Sequence, residues 1–105
     1  MLTKRKTVDV YDRGTGALLH RWPIAGGAAP KLTAGGGIAV YVTWRSIHAL
    51  DLLTGKDAVV ATQSTAIEDA RLDGVGLLYD YNLPWATHTG KIVFVPFATV
   101  AGAVG

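Results

Sequence analysis

Val10-Tyr11-Asp12-Arg13-Gly14-Thr15-Gly16 and Ala49-Leu50-Asp51-Leu52-Leu53-Thr54-Gly55 are two copies of one pattern. Each ends an apolar run on Asp, and each closes with Thr-Gly three residues later. Asp12 and Asp51 lie 39 residues apart, and the Thr-Gly pairs keep that spacing. An Asp at a strand end accepts hydrogen bonds from the N–H groups of the following turn, and a Thr hydroxyl does so more weakly. Gly16 and Gly55 supply the positive φ that a tight hairpin requires. Asp12 and Asp51 therefore read as structural residues and are not nominated as catalytic.

The repeat extends outward from these turns. Gly37-Ile38-Ala39-Val40-Tyr41 can be laid over Gly76-Leu77-Leu78-Tyr79-Asp80, again with a shift of 39. The run Lys91–Phe97 corresponds to Ser46–Leu52 after a longer loop, 82–90. Seven runs rich in Val, Ile, Leu, Tyr and Trp suit pleated strands: Thr7–Tyr11, Ala17–Trp22, Gly37–Thr43, Ile47–Leu52, Ala58–Thr62, Val75–Tyr81 and Lys91–Phe97. The best helical signal is Thr65-Ala66-Ile67-Glu68, a capping-box pattern. The stretch after it stops at the turn signal Asp73-Gly74. A period near 40 made of strands and turns points to β-propeller blades, since helical repeats of that period are not strand-rich.

Ile47-His48-Ala49-Leu50-Asp51-Leu52-Leu53-Thr54-Gly55-Lys56 resembles the blade motif of the quinoprotein-type (PQQ-like) and YVTN-type β-propellers. There a third strand ends in Leu-Asp and Thr-Gly-Lys opens the outer strand. Val10-Tyr11-Asp12 to Gly16 is similar, with Val-Tyr-Asp in place of Ala-Leu-Asp. The family's Trp after the outer strand is present at Trp22 and absent after Ala58–Thr62. The resemblance implies a fold and no activity, and no residue of a quinone or metal site can be placed, so no cofactor is implied.

The expected fold is therefore all-β: a single β-propeller fragment spanning 1–105, of about two and a half four-stranded antiparallel blades. Segment 7–22 gives the two outer strands of one blade. Segment 31–62 is a complete blade, with Lys31–Ala34 as its first strand. Segment 70–97 is a partial blade beginning with Ala70–Asp73, whose outer strand is missing or supplied by the tail. A small closed barrel or sandwich fits the strand count but not the repeat.

Composition narrows the functional classes. Half of the 105 residues are hydrophobic and 17% are charged, which suits a packed core and excludes disorder. The net charge is +2, with Lys4, Arg5, Lys6, Arg13 and Arg21 in the first 21 residues. No basic stripe is interleaved with stacking aromatics, so nucleic acid is not an expected partner. The absence of cysteine excludes disulfides and thiolate metal sites. No apolar h-region follows Met1–Lys6, so no signal peptide is expected. The apolar tail Val95–Gly105 falls well short of the roughly 20 residues a spanning helix needs, so no membrane is expected either.

No motif carries catalysis or metal binding. His20, His48 and His88 have no metal-ligand spacing. Ser46 and Ser64 lie outside any Gly-x-Ser-x-Gly. Gly26-Gly27 and Gly35-Gly36-Gly37 open no helix and no Gly-Lys-Ser/Thr follows them, so they read as turns. One grouping points to binding. In a propeller the loops between blades and those between second and third strands open on the same face. Here these hold Trp44 and Arg45, then Asn82, Trp85 and His88, then Glu68 and Asp69. Loop-borne aromatic and Arg side chains are what binding hot spots use. The alternative is that Trp44 and Trp85 pack down on neighbouring blades. The expected function is a non-catalytic binding or scaffold module that closes a ring with copies of itself, as a homodimer or homotrimer, around an unknown ligand or protein. The rival is a C-terminal piece of a larger propeller hydrolase or dehydrogenase with its catalytic groups elsewhere.

Overall fold

A computed structural model describes residues 7–24, 32–82 and 90–105. The described chain is mostly β, in three antiparallel sheets and one short helix. The first sheet pairs β1 (Thr7–Tyr11) with β2 (Leu18–Pro23). The second runs β3 (Leu32–Gly35), β4 (Ile38–Thr43), β5 (Ser46–Asp51), β6 (Asp57–Thr62) in simple meander order. The third is β7 (Ile67–Leu72), β8 (Gly76–Asn82), β9 (Gly90–Pro96). Helix α1 (Phe97–Val104) follows at once.

The repeated turn forms as its chemistry requires. Asp12 Oδ1 accepts from the N–H groups of Gly14 (2.8 Å) and Thr15 (2.9 Å). Asp51 Oδ1 accepts from those of Leu53 (2.8 Å) and Thr54 (3.1 Å). Thr15 and Thr54 accept from the N–H two residues on, at 3.2 and 3.3 Å. Gly16 and Gly55 sit at φ 73° and 76°, the left-handed region where a Cβ is penalised.

Elsewhere the true shift is 38, one less than the glycine match gives. The pairs Leu32↔Tyr41, Thr33↔Val40 and Ala34↔Ala39 recur as Ala70↔Tyr79, Arg71↔Leu78 and Leu72↔Leu77, each residue 38 on. Tyr79 is thus the counterpart of Tyr41. On the next ladder Ala39↔Leu50 and Val40↔Ala49 recur as Leu77↔Val95 and Leu78↔Phe94, with β9 shifted by 45 from β5. That is the shift by which Lys91 corresponds to Ser46. Gly76 matches Ile38 and not Gly37. The correction matters because strands have period two, so a slip of one residue exchanges the faces.

With the register set, the packing is directional. Ile38, Val40, Val42, Ile47 and Ala49 form one face of the β3–β6 sheet, here termed its first face, and join a core with Leu72, Leu77 and Tyr79. Ala39, Tyr41 and Leu50 form the second face and pack with Val8 and Trp22 of the β1–β2 pair. Val8 is the counterpart of Ile47 by the 39-residue shift, so β1–β2 also presents its first face. Leu77 and Tyr79 are the counterparts of Ala39 and Tyr41, so β7–β9 presents its second face. First face meets second face at both junctions. Burial of β4 on both sides explains why its sequence is a continuous apolar run and does not alternate.

One expected boundary moves, and two points that the sequence left open are decided. The capping-box pattern at Thr65–Glu68 starts no helix: β7 begins at Ile67, three residues before the expected Ala70 and ends at Leu72. The Ile67 N–H donates to Trp44 O at 2.7 Å, which draws this segment into extended backbone beside the neighbouring sheet. The tail supplies no outer strand. Val100 and Val104, one helical turn apart, are buried between β5–β6 and β8–β9, where the two sheets leave a wedge. The Phe97 ring lies so close to Gly36 that a Cβ there would sit 2.6 Å from it. Lys56 Nζ donates to Gly105 O at 3.2 Å, a cation at the negative end of the helix. Lys31, expected to open the first strand of its blade, lies outside the described residues.

Candidate functional site: the Trp44–Arg45 tip

The β4–β5 connection is as short as a hairpin allows, since Thr43 pairs with Ser46 and only Trp44 and Arg45 lie between. Trp44 carries φ 64°, the one positive φ outside glycine among the described residues. The Arg45 N–H donates to Thr43 O at 2.8 Å across it. A bond from i to i+2 around a residue with positive φ marks the rare, strained form of the γ-turn. A bulky side chain in that region costs about 1–3 kcal/mol and persists only where its surroundings hold it. The surroundings here are two latches: the Gln63 N–H donates to Arg45 O at 2.8 Å, and the Ile67 N–H to Trp44 O.

The strain turns Trp44 outward. Trp44 is 63% exposed, so within this chain it does not pack down on a neighbouring sheet. The Arg45 guanidinium carbon lies 4.2 Å from the ring centroid, a cation–π stack that fixes both side chains as one amphipathic plate. Glu68 follows Ile67 directly and is exposed on the strand latched to this turn. Trp44, Arg45 and Glu68 thus belong to one neighbourhood. Asp69 leaves it: a bulge between Ile67 and Asp69 shifts the register, and Asp69 lines a hollow on the outer face of β7–β9 with Arg71 and Asp80. Trp85 and His88 lie outside the described residues, and Asn82 is placed only as the last residue of β8.

A polar group that the sequence reading passed over lies at the junction of the first two sheets. The Tyr41 hydroxyl donates to Asp57 Oδ2, and Asp57 Oδ1 lies 2.9 Å from His48 Nδ1. A carboxylate only accepts, so Nδ1 carries the hydrogen. The Tyr41 and His48 rings stack at 4.8 Å. The group ties β4, β5 and β6 together and satisfies the hydroxyl of a fully buried Tyr41. Its signal was present in the register alone: His48 pairs with Tyr41, and Asp57 opens the next strand. On the next sheet Tyr79, the counterpart of Tyr41, instead accepts from Gln63 Nε2 at 2.8 Å.

At the other end of the described chain, Arg21 forms a two-pronged pair with Asp9, at 3.0 and 3.2 Å. That pair holds the Asp9 carboxyl below its ordinary 3.8 and raises the guanidinium. The turn N–H groups of Thr15 and Gly14 likewise lower Asp12. None of these groups converges on a cleft, and no cluster of three or more metal-ligating side chains occurs among the described residues. Searches against family models, curated proteins and solved structures found no match to this chain.

Proposed function

We propose that the chain is a stretch of β-propeller of the PQQ-like or YVTN-type kind, acting as a non-catalytic binding and scaffold module. On this reading it is completed into a ring by copies of itself, as a homodimer or homotrimer. The observation that carries the reading is the directional stacking: three sheets, the second and third sharing one strand register, with first face on second face at each junction. A stack of this sense has two dissimilar open ends, and ring closure is how such architectures cover them. The Trp44–Arg45 plate, with Glu68 beside it, is the binding element, because backbone strain is spent there on exposing an aromatic–cation pair.

A second reading keeps the architecture and makes the chain part of a larger propeller enzyme. On that reading the open ends of the stack, Tyr11 at one and Ile92 at the other, are covered by further blades instead of by copies. Light scattering on the purified chain at micromolar concentration separates the two. A dimer or trimer mass supports self-assembly; a folded, non-aggregating monomer overturns it.

A further inference from the structure

The two open ends of the stack can be compared, position by position, with covered surfaces of the same molecule. On the outer face of β7–β9, Leu78 is 47% exposed, Phe94 52% and Ile92 75%. Their register counterparts on the β3–β6 sheet are Val40, Ala49 and Ile47, and each of these is 0% exposed. The same comparison holds at the other end. Tyr11 of β1 is 56% exposed, while its counterpart Leu50 is 0% exposed. Leu18, which pairs with Tyr11, is also exposed.

We infer that the outer face of β7–β9 is the seat for the outer face of β1–β2 of a second copy of this chain, in a head-to-tail contact. The inference rests on the self-assembly proposed above and names the surfaces that carry it. The molecule itself shows the rule for such a seat. The uncovered face of β7–β9 is a first face, and a first face is covered by a second face at both internal junctions. The outer face of β1–β2 is an uncovered second face. The charges are complementary. The β7–β9 face carries Asp69 and Asp80 around Arg71, beside a hollow of about 260 Å³. The β1–β2 face carries Arg21, whose side chain is 58% exposed beside Asp9, so the guanidinium can reach those carboxylates. Two short strands against three give a contact near the low end of specific interfaces, about 1,000 Å² in all. A single contact of that size is weak, and closure of a ring, in which every copy makes two, supplies the stability.

Two variants test the assignment. Ile92→Glu places a charge on the β7–β9 face, and Tyr11→Glu on the β1–β2 face. Both side chains are more than half exposed, so the far-ultraviolet circular dichroism of each variant should match the wild type. Sedimentation should show the wild type as an oligomer and each variant alone as a monomer, with association weakened by at least about 30-fold, the loss of an interface anchor. Mixed in equal amounts, the two variants should form a 1:1 pair only at concentrations well above those at which the wild type assembles, because together they keep one intact contact and no closed ring. If Tyr11→Glu forms a dimer by itself, the β7–β9 faces pair with each other and the head-to-tail contact is wrong. If Ile92→Glu keeps the wild-type mass, the surface assignment fails while self-assembly stands. A monomeric wild type overturns both.

Discussion

Strands β4 and β5 share one pairing register with β8 and β9, and the two pairs differ in what lies on them. The first pair is covered on both sides; the second is covered on one. Their sequences follow that difference. Val40, Val42, Ile47 and Ala49 on the covered face become Leu78, Asp80, Ile92 and Phe94 on the open one. The open face gains a carboxylate at one position and carries large apolar side chains at the other three, with Phe94 in place of Ala49. Apolar side chains grouped in this way on an open face are what the proposed head-to-tail contact would cover. The comparison teaches that the register of a sheet fixes which side chains share a face, while its neighbours decide what that face costs.

The largest effect should come from the same truncation at counterpart positions. Ile47→Ala should lose about 2–5 kcal/mol, because a fully buried side chain leaves a cavity. Ile92→Ala, measured in dilute solution where copies are apart, should change stability by no more than about 0.5 kcal/mol. Urea denaturation of both variants checks the pair, and equal losses would mean that Ile92 is covered within one chain.

The two copies of the Asp-Thr-Gly turn offer a narrower version of the contrast. Gly16→Val and Gly55→Val both force a β-branched residue to positive φ, at about 1–3 kcal/mol. A Cβ at Gly55 would also lie 2.5 Å from the Trp22 ring, whereas one at Gly16 meets nothing within 4 Å. Gly55→Val should therefore cost at least about 1 kcal/mol more. Identical denaturation midpoints would show that Trp22 swings away from the turn freely.

At the tip, Trp44→Gly should leave the fold intact and stabilise it slightly, by about 0.5 kcal/mol, since glycine relieves the positive φ but adds chain entropy. The same change should remove binding of any partner held by the Trp44–Arg45 plate. A lowered denaturation midpoint would show that the Trp44 ring contributes packing despite its exposure.

The smallest effect concerns acid. Asp12 and Asp9 have carboxyls lowered from 3.8, by turn N–H groups and by Arg21 respectively. A depressed folded value gives stability that is present above 3.8 and lost as pH falls through the lower folded value. The β1–β2 pair should thus loosen first on acidification. Asp12→Asn should flatten the pH dependence of amide exchange in the β1–β2 turn below pH 3.8. An unchanged profile would assign the acid response to other carboxylates.

The turns were legible because their determinants are local: an Asp, a Thr and a Gly within five residues make the same bonds wherever they occur. Strand-rich character was legible for the same reason. The register between repeats was off by one because Gly37 and Gly76 look alike in sequence and do different work. Gly37 takes φ 80° in a turn. Gly76 is a strand residue whose Cβ would sit 2.4 Å from Val95 O, and that proximity arises only once β8 and β9 pair. The tip was half legible. Exposed loop aromatics pointed to Trp44 and Arg45, but the bulge that sends Asp69 to another face depends on how β7 meets β8.

By itself, then, the sequence determined what short-range chemistry can specify: strand-rich character and two Asp-Thr-Gly turns. Three features came only from the tertiary structure. Residues 97–104 form a helix, although Gly102 and two valines argue against one, because the wedge between two sheets buries Val100 and Val104. Trp44 holds a strained outward turn because the Ile67 N–H grips its own carbonyl and the Gln63 N–H that of Arg45. Val40 is a core residue and its counterpart Leu78 an open one, although both are large aliphatic side chains on matching strands. Burial belongs to the pair of surfaces that meet, and a chain that lists its side chains in order does not state which surfaces those are.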